Sequence, residues 1–149
     1  MSAGLMNSNC SSCRFDVPVW SHLPNAKHID AVMASVKANP EAWHIAWHTA
    51  RNVVSWAARE AARDAGREAA RDAGRDAELG AVWLAFRDDE WDAAWNGMLA
   101  FVAYDHASKY LQMTPDQLRA WALLSEDPAA VLLIPAAIAF DKLADMEVA

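Results

Sequence analysis

The chain has few residues that break helices or crosslink a fold. Its 149 residues include five glycines, six prolines and two cysteines, Cys10 and Cys13. So little glycine and proline excludes collagen-like and disordered low-complexity classes. Two cysteines three positions apart form no disulfide framework of the kind that holds small secreted domains together.

Long apolar runs and targeting signals are also lacking. The longest nearly apolar run is 129–140, which holds 12 residues including Pro135, whereas a membrane-spanning helix needs ~20. The first ten residues contain neither the basic nor the apolar region of a signal peptide. We therefore expect a soluble protein of the cytoplasm, or of a host's cytoplasm if the chain is viral, with no membrane partner.

Basic residues are scarce in the second part of the chain. Residues 1–87 carry ten basic and nine acidic side chains, whereas residues 88–149 carry three and eleven, which gives the net charge of −7. An acidic chain repels phosphate backbones, so we expect no nucleic-acid partner. Mimicry of a nucleic acid by the acidic part is a weaker hypothesis, because its acids are scattered outside residues 88–92.

Alanine and tryptophan are abundant, with 33 and eight residues respectively. Alanine is the strongest helix former, and apolar residues recur three and four positions apart in several segments. No segment alternates apolar and polar residues for long enough to predict a strand. These patterns predict an all-α protein: a single-domain bundle of five to seven helices over residues 22–149, preceded by an irregular N-terminal arm at 1–21.

Capping residues predict where several helices begin and end. The first helix should end near Ala38, and the acids at 88–90 predict a helix over about 89–112. The segment 114–117 has the pattern of a capping box that starts a short helix. Asp127 should cap the last helix.

Residues 57–77 form a low-complexity repeat, AAREAARDAGREAARDAGRDA. Arginine recurs at every fourth position and an acid follows each one, so ion pairs three residues apart support a helix. A period of four advances about 40° per repeat on an α-helix, so the arginines wind around it rather than forming one basic face. The repeat predicts one long Ala/Arg/Asp-rich helix, although Gly66 and Gly74 leave open whether residues 40–87 form one helix or two.

The tryptophans suggest a surface for a partner protein, because aromatic residues dominate binding hot spots. Core packing is the alternative for most of them, since alanine-rich helices leave gaps that large rings fill. Trp47 and Trp56 fall on opposite faces of a continuous helix, which would place that helix at the centre of the bundle or against a second protein. The predicted interaction residues are Trp43, Trp47, Trp56, Trp91 and Trp95, with Asp88, Asp89, Glu90 and Asp92 at the rim.

One pattern near the N-terminus has the ligand types of a zinc site. Cys10 and Cys13 are followed by His22 and His28, in the spacing C-x2-C-x8-H-x5-H. The middle interval is shorter than in the usual zinc-finger patterns, and free thiols are the alternative. Whether this arm binds zinc stays open.

A second pattern with metal-ligand spacing lies in the helix that follows Pro40. His44 and His48 are one turn apart, a spacing that can chelate a metal. Position 45 is isoleucine, so the glutamate that serves as general base in a zinc-protease HExxH motif is missing. A pair of surface or tryptophan-packed histidines is the alternative. We expect no bound metal and no other cofactor.

A buried polar network is predicted around Asp105. This residue continues the apolar stripe of the helix over 91–102, and a buried carboxylate is costly unless it is paired. Lys109 follows one turn later, so we predict a network of Asp105, His106 and Lys109. An acid/base site at the same residues is the functional alternative.

Three segments carry a resemblance to a known group of proteins. They are the AARDA-type tetrads at 57–77, LAFVAYDHASKYL at 99–111 and TPDQLRAWALLSEDPAAVLLIPAAIAF at 114–140. With these segments, the stretch from about 41 to 143 resembles small Ala/Trp-rich helical proteins of tailed bacteriophages. The resemblance implies a viral accessory or virion context and no catalytic residue.

The sequence therefore predicts a noncatalytic protein–protein interaction module rather than an enzyme. No phosphate-binding loop, dinucleotide-binding loop or nucleophile motif is present. We expect a bacteriophage accessory protein that binds and occludes a host or phage protein. One alternative is a virion component or homo-oligomeric assembly protein, and another is a metal-dependent enzyme or sensor that uses His44 and His48.

Overall fold

The computed structural model describes residues 18–86 and 91–148. Within these two ranges the chain forms seven α-helices and two short 3-10 helices, with no strand, which confirms the all-α prediction. The 3-10 helices cover Val19–His22 and Ala107–Gln112. The α-helices are α1 (Ala26–Ala38), α2 (Pro40–Arg51), α3 (Trp56–Asp72), α4 (Asp76–Phe86), α5 (Trp91–Ala103), α6 (Pro115–Ser125) and α7 (Pro128–Val148).

Helices α5 and α7 form the centre of the bundle. None of the residues in Ala94–Ala103 or Ala129–Phe140 is exposed. A helix that is apolar on every side has to be covered on every side. Accordingly α7 contacts α2, α3, α5 and α6, and α5 also contacts α1, α2, α3 and α4. Across the described residues, every helix is too short or too polar to cross a membrane.

Small residues let α3 approach the two central helices closely. Ala62, Gly66 and Ala70 lie on its buried face. A Cβ atom added at Gly66 would lie 3.0 Å from Leu99 Cγ and 3.2 Å from Leu132 Cδ1. Both leucines are fully buried and have little room to move. The alanine-rich repeat therefore serves as a packing face against α5 and α7.

The Ala/Arg/Asp-rich repeat lies mostly in α3 and continues into the start of α4, and residues 40–86 form three helices, α2, α3 and α4, rather than one or two. The repeat is broken at Gly74, which has a positive φ of 74°. Arg75 N donates to Ala70 O and Gly74 N donates to Arg71 O, the paired hydrogen bonds of a Schellman motif. Gly66 occupies the same place in the repeat but is buried, so α3 continues through it.

Helix α5 ends nine residues earlier than the sequence predicts, at Ala103 rather than near residue 112. Its last carbonyl groups are bonded by distant side chains. Asn25 Nδ2 lies 3.3 Å from Phe101 O, and Arg75 donates to Val102 O at 2.9 Å. These long-range hydrogen bonds satisfy carbonyl groups that have no partner within the helix, at the point where the chain turns.

Other predicted boundaries are confirmed. The first helix ends at Ala38. Thr114 and Gln117 form the predicted capping box, in which each side chain accepts a hydrogen bond from the backbone N–H of the other residue. Asp127 Oδ1 accepts from Ala129 N at the start of α7, so Asp127 caps the last helix as expected.

We predict that Gly66→Ala destabilises the protein by ~1–3 kcal/mol, because the added methyl group overpacks the junction of α3, α5 and α7. Gly80→Ala is the matched control. Gly80 lies inside α4 with open space around it, so the same change should stabilise the protein by up to ~1 kcal/mol. Urea unfolding of the two variants measures both effects, and a Gly66→Ala variant as stable as wild type contradicts the packing described.

Candidate interaction surface

Two of the tryptophans predicted to bind a partner belong to the core. Trp43 is fully buried, packs edge-on against Phe140 with ring centroids 5.4 Å apart, and donates its indole N–H to Ser35 Oγ at 2.8 Å. Trp95 is only 6% exposed. These rings fill the space that alanines leave between the helices, so their assignment to an interaction surface is wrong.

Part of the predicted surface lies beyond what the structure describes. Asp88, Asp89 and Glu90 fall outside the described residues. Trp91 and Asp92 belong to the first turn of α5, but their side chains are also outside the described part. The prediction of an acidic rim at 88–92 therefore stays a prediction.

Trp56 is the predicted interaction residue that the structure places in solvent. It is the first residue of α3 and is 64% exposed. The break between α2 and α3 brings it to the same side as Trp47, which is half-buried against the core. Ser55 caps α3 by accepting a hydrogen bond from Ala58 N at 3.1 Å, and this fixes where the helix begins.

Two arginines lie against these indole rings. Arg59 Cζ is 5.3 Å from the ring centre of Trp56 and 5.8 Å from that of Trp47, and Arg63 Cζ is 5.6 Å from that of Trp56. Guanidinium groups at such distances are attracted to the faces of aromatic rings, and the attraction is strongest for tryptophan. We call Trp47, Trp56, Arg59 and Arg63 the tryptophan–arginine cluster.

The cluster is electrostatically positive. Burial lowers the pKa of Arg59 below its ordinary value, and the nearby charges of Arg51 and Arg63 lower it further. Arg63 forms an ion pair with Glu60, and Arg59 Nε donates to Val54 O at 3.4 Å. A chain with a net charge of −7 thus carries a local concentration of positive charge beside an exposed indole.

The sequence did not predict this cluster because Arg59 and Arg63 are the first two arginines of the repeat. The repeat predicted solvated arginines that wind around a helix. Near the N-terminus of α3 the first two of them lie against Trp47 and Trp56, where α2 ends at Arg51 and α3 begins at Trp56. The detectable signal was Trp56 with arginines three and seven positions later, a spacing that places all three side chains near one face.

The predicted buried network of Asp105, His106 and Lys109 is wrong. All three residues are exposed, because α5 ends at Ala103 and its apolar stripe does not reach Asp105. Asp105 Oδ1 instead accepts a hydrogen bond from Arg75 at 2.8 Å, and Lys109 Nζ lies 5.2 Å from the ring centre of Tyr110.

A polar network does exist nearby, and it is centred on Asp127. Asp127 Oδ2 accepts from the Tyr110 hydroxyl at 2.5 Å and lies 3.0 Å from His106 Nε2. Tyr110 is 1% exposed, and its hydroxyl also accepts from Trp121 Nε1 at 3.2 Å. The network therefore ties the second 3-10 helix and α6 to the start of α7.

Hydrogen bonding keeps Asp127 ionised. Burial by itself raises the pKa of this carboxyl, but donors at Tyr110, His106 and Ala129 N outweigh burial and hold the pKa below its ordinary value. Burial and the bond to Asp127 raise the pKa of Tyr110. The tyrosine therefore stays protonated and continues to donate.

The histidines proposed as metal ligands fall in three places: the adjacent pair His44 and His48, His22, and His28. His44 and His48 are exposed with their Nε2 atoms 3.2 Å apart. His22 Nε2 is 3.1 Å from a carboxylate oxygen of Glu78, and the His28 ring lies against Phe101. Within residues 18–86 and 91–148, no three metal-binding side chains converge. Cys10 and Cys13 lie outside these ranges.

We predict that Asp127→Asn lowers the free energy of unfolding at neutral pH by ~2 kcal/mol, because the charged acceptor of two side-chain hydrogen bonds is lost. A carboxyl whose pKa is lowered by folding stabilises the native state above its ordinary pKa of about 3.9 and loses this effect as the pH falls through the folded-state pKa. The gap between variant and wild type should therefore narrow below about pH 4.

Urea unfolding at neutral and acidic pH measures this gap. Asp116→Asn is the control, because the Asp116 side chain is 91% exposed and its ion pair with Arg119 is long, at 3.7 Å. Its effect should be much smaller at either pH. A gap for Asp127→Asn that is absent at neutral pH, or that widens on acidification, contradicts the network described.

Comparison of the chain with known proteins found no matching family model, no similar curated protein and no similar solved structure. Function therefore has to be inferred from the side chains themselves. In the described part of the chain, the tryptophan–arginine cluster combines an exposed aromatic ring with positive charge, and the Asp127 network is largely satisfied by its own hydrogen bonds.

Proposed function

We propose that the chain is a noncatalytic protein–protein interaction module whose binding surface is the tryptophan–arginine cluster. The observation that carries this proposal is Trp56, which is 64% exposed and has two guanidinium groups against its ring. Tryptophan and arginine are the residues most enriched at binding hot spots, where a few side chains supply most of the affinity.

An exposed apolar side chain does not by itself indicate a binding surface, because single exposed apolar residues are normal on protein surfaces. The described residues include several others: Val19, Ile45, Trp83, Leu84, Trp121, Leu123 and Leu124. Trp56 stands out among them because two guanidinium groups lie against its ring. This pairing gives the surface both a large apolar contact and charged donors.

The cluster is also held in place before any partner arrives. The Ser55 cap fixes the first turn of α3, and the indoles and guanidinium groups restrict each other. A side chain that is already ordered loses less conformational entropy on binding. An interaction surface built in this way gains affinity without a large contact area.

A bacteriophage accessory role is part of the proposal, and its support is the sequence resemblance over residues 41–143. Such a protein would act by occlusion, covering the working face of a host or phage protein. This mechanism requires a stable surface and no catalytic group.

We predict that Trp56→Ala lowers affinity for a partner by about tenfold or more, as expected for a hot-spot tryptophan. The measurement is capture from a bacterial lysate on immobilised protein, with the yield of a stoichiometric partner compared between variants. Leu84→Ala is the matched control, because Leu84 has the same exposure of 64% but lies on α4, outside the tryptophan–arginine cluster. It should capture as much partner as wild type.

Two results would count against the proposal. One is equal capture by Trp56→Ala and wild type. The other is a stable symmetric oligomer, measured by light scattering, that captures nothing, since this would favour the assembly alternative. Unchanged unfolding by urea is needed for both variants, and both side chains are exposed enough for that to be expected.

A further inference from the structure

Arg59 is a nearly buried cation beside two indole rings. It is 8% exposed, and no carboxylate among the described residues lies within ion-pair distance of it. Four of the other described arginines have such partners: Arg63 with Glu60, Arg67 with Asp64, Arg75 with Asp105 and Arg119 with Asp116. Arg51 and Arg71 have none among the described residues, but both are exposed to solvent, whereas Arg59 is not. A buried charge is costly unless it is paired. No side-chain nitrogen of Arg59 is both fully buried and without a hydrogen-bond partner, so its terminal N–H groups lie where a ligand's carboxylate can reach them.

The surroundings of Arg59 leave its terminal donors available. Its Nε bonds to Val54 O at 3.4 Å, which uses one of its five N–H groups. The indoles of Trp47 and Trp56 lie 5.8 Å and 5.3 Å from its Cζ and cannot accept the remaining N–H groups as a carboxylate would. A planar guanidinium held in this way presents a fork of donors that matches a carboxylate.

We propose that the tryptophan–arginine cluster binds an acidic segment of a partner protein, with a carboxylate on Arg59 and an apolar side chain on Trp56. This inference rests on the proposed function, because it names the chemistry of the partner at the same surface. The nearby charges of Arg51 and Arg63 attract the same carboxylate-rich segment.

The size of the positive region favours a peptide over a nucleic acid. Further along the repeat Arg67 is already paired with Asp64, and Arg75 with Asp105. Among the described arginines of the repeat beyond the cluster, Arg71 alone lies outside an ion pair, so the unpaired positive charge does not form an extended row. A nucleic acid needs an extended row of basic contacts along its phosphates, and the net charge of −7 opposes such contacts.

The test uses a fluorescein-labelled peptide of alternating glutamate and leucine, with a glutamine–leucine peptide as the neutral comparison and labelled oligothymidylate as the nucleic-acid comparison. Fluorescence anisotropy at low salt should show binding of the glutamate peptide alone. Affinity should fall as salt is raised, because the attraction between exposed charges is screened.

Variants identify the site. Arg59→Gln should weaken binding of the glutamate peptide by about tenfold, since the charged hydrogen bonds are lost. Arg59→Lys keeps the charge but not the donor fork and should bind with intermediate affinity. Arg67→Gln is the control, because Arg67 is exposed on the same helix and already paired with Asp64. It should bind as wild type does.

Arg63→Gln guards against a folding defect in the Arg59 variants. Arg63 lies against the Trp56 ring and is paired with Glu60, so its loss should weaken binding of the glutamate peptide less than the loss of Arg59 does, while the circular dichroism of the protein stays unchanged. Equal binding by wild type, Arg59→Gln and Arg63→Gln overturns the inference. Tighter binding of oligothymidylate or of the glutamine peptide overturns it as well.

Failure of this inference can be separated from failure of the proposed function. If Trp56→Ala abolishes capture of a partner while Arg59→Gln leaves it intact, the interaction surface stands and the acidic partner is wrong. If Trp56→Ala leaves capture intact, the proposed function is wrong whatever the peptide does.

Discussion

The fold depends on covering two helical stretches that have no exposed side, 94–103 in α5 and 129–140 in α7. Every described side chain between Ala94 and Ala103 and between Ala129 and Phe140 is at least partly buried, so α5 and α7 can exist only with other helices around them. Those helices can come close enough because they present alanine and glycine, as α3 does at Gly66. The large rings of Trp43 and Phe101 fill the wider gaps. Small and large residues thus have complementary roles in one core.

The same constraint positions the candidate site. Because α3 is pressed against α5 and α7 by its small residues, its first turn is fixed relative to α2, and Arg59 falls on the buried face beside Ala62. An arginine at this position is only partly accessible to solvent, and its guanidinium group packs against two indole rings rather than a carboxylate. The packing that stabilises the bundle therefore leaves one cation poorly neutralised at its boundary, next to an exposed ring.

Much of the fold could be predicted from the sequence, because it depends on local chemistry. The alanine content, the capping box at Thr114 and the cap at Asp127 predicted the all-α class and several helix boundaries.

The predictions that failed concern features that depend on residues far apart in the chain. Asn25 donates hydrogen bonds to carbonyl groups at the end of α5 and just after it. Asp105 therefore lies beyond the helix and does not continue the apolar stripe from which its burial was predicted. Both repeat glycines follow the same five residues, AARDA, yet Gly74 breaks the helix while Gly66, packed against Leu99 and Leu132, does not. The site shows the same limit, since periodicity could not separate the buried Trp43 from the exposed Trp56.

Fluorine NMR of protein labelled with 5-fluorotryptophan tests the central claim most directly, because each of the eight tryptophans reports its own surroundings. The resonance of Trp56 is assigned by its loss in Trp56→Phe, and the spectrum is recorded during titration with the glutamate–leucine peptide. The account predicts that the resonances of Trp56 and Trp47 shift while those of the core residues Trp43 and Trp95 stay in place. A Trp56 resonance that does not move while another tryptophan responds would contradict it.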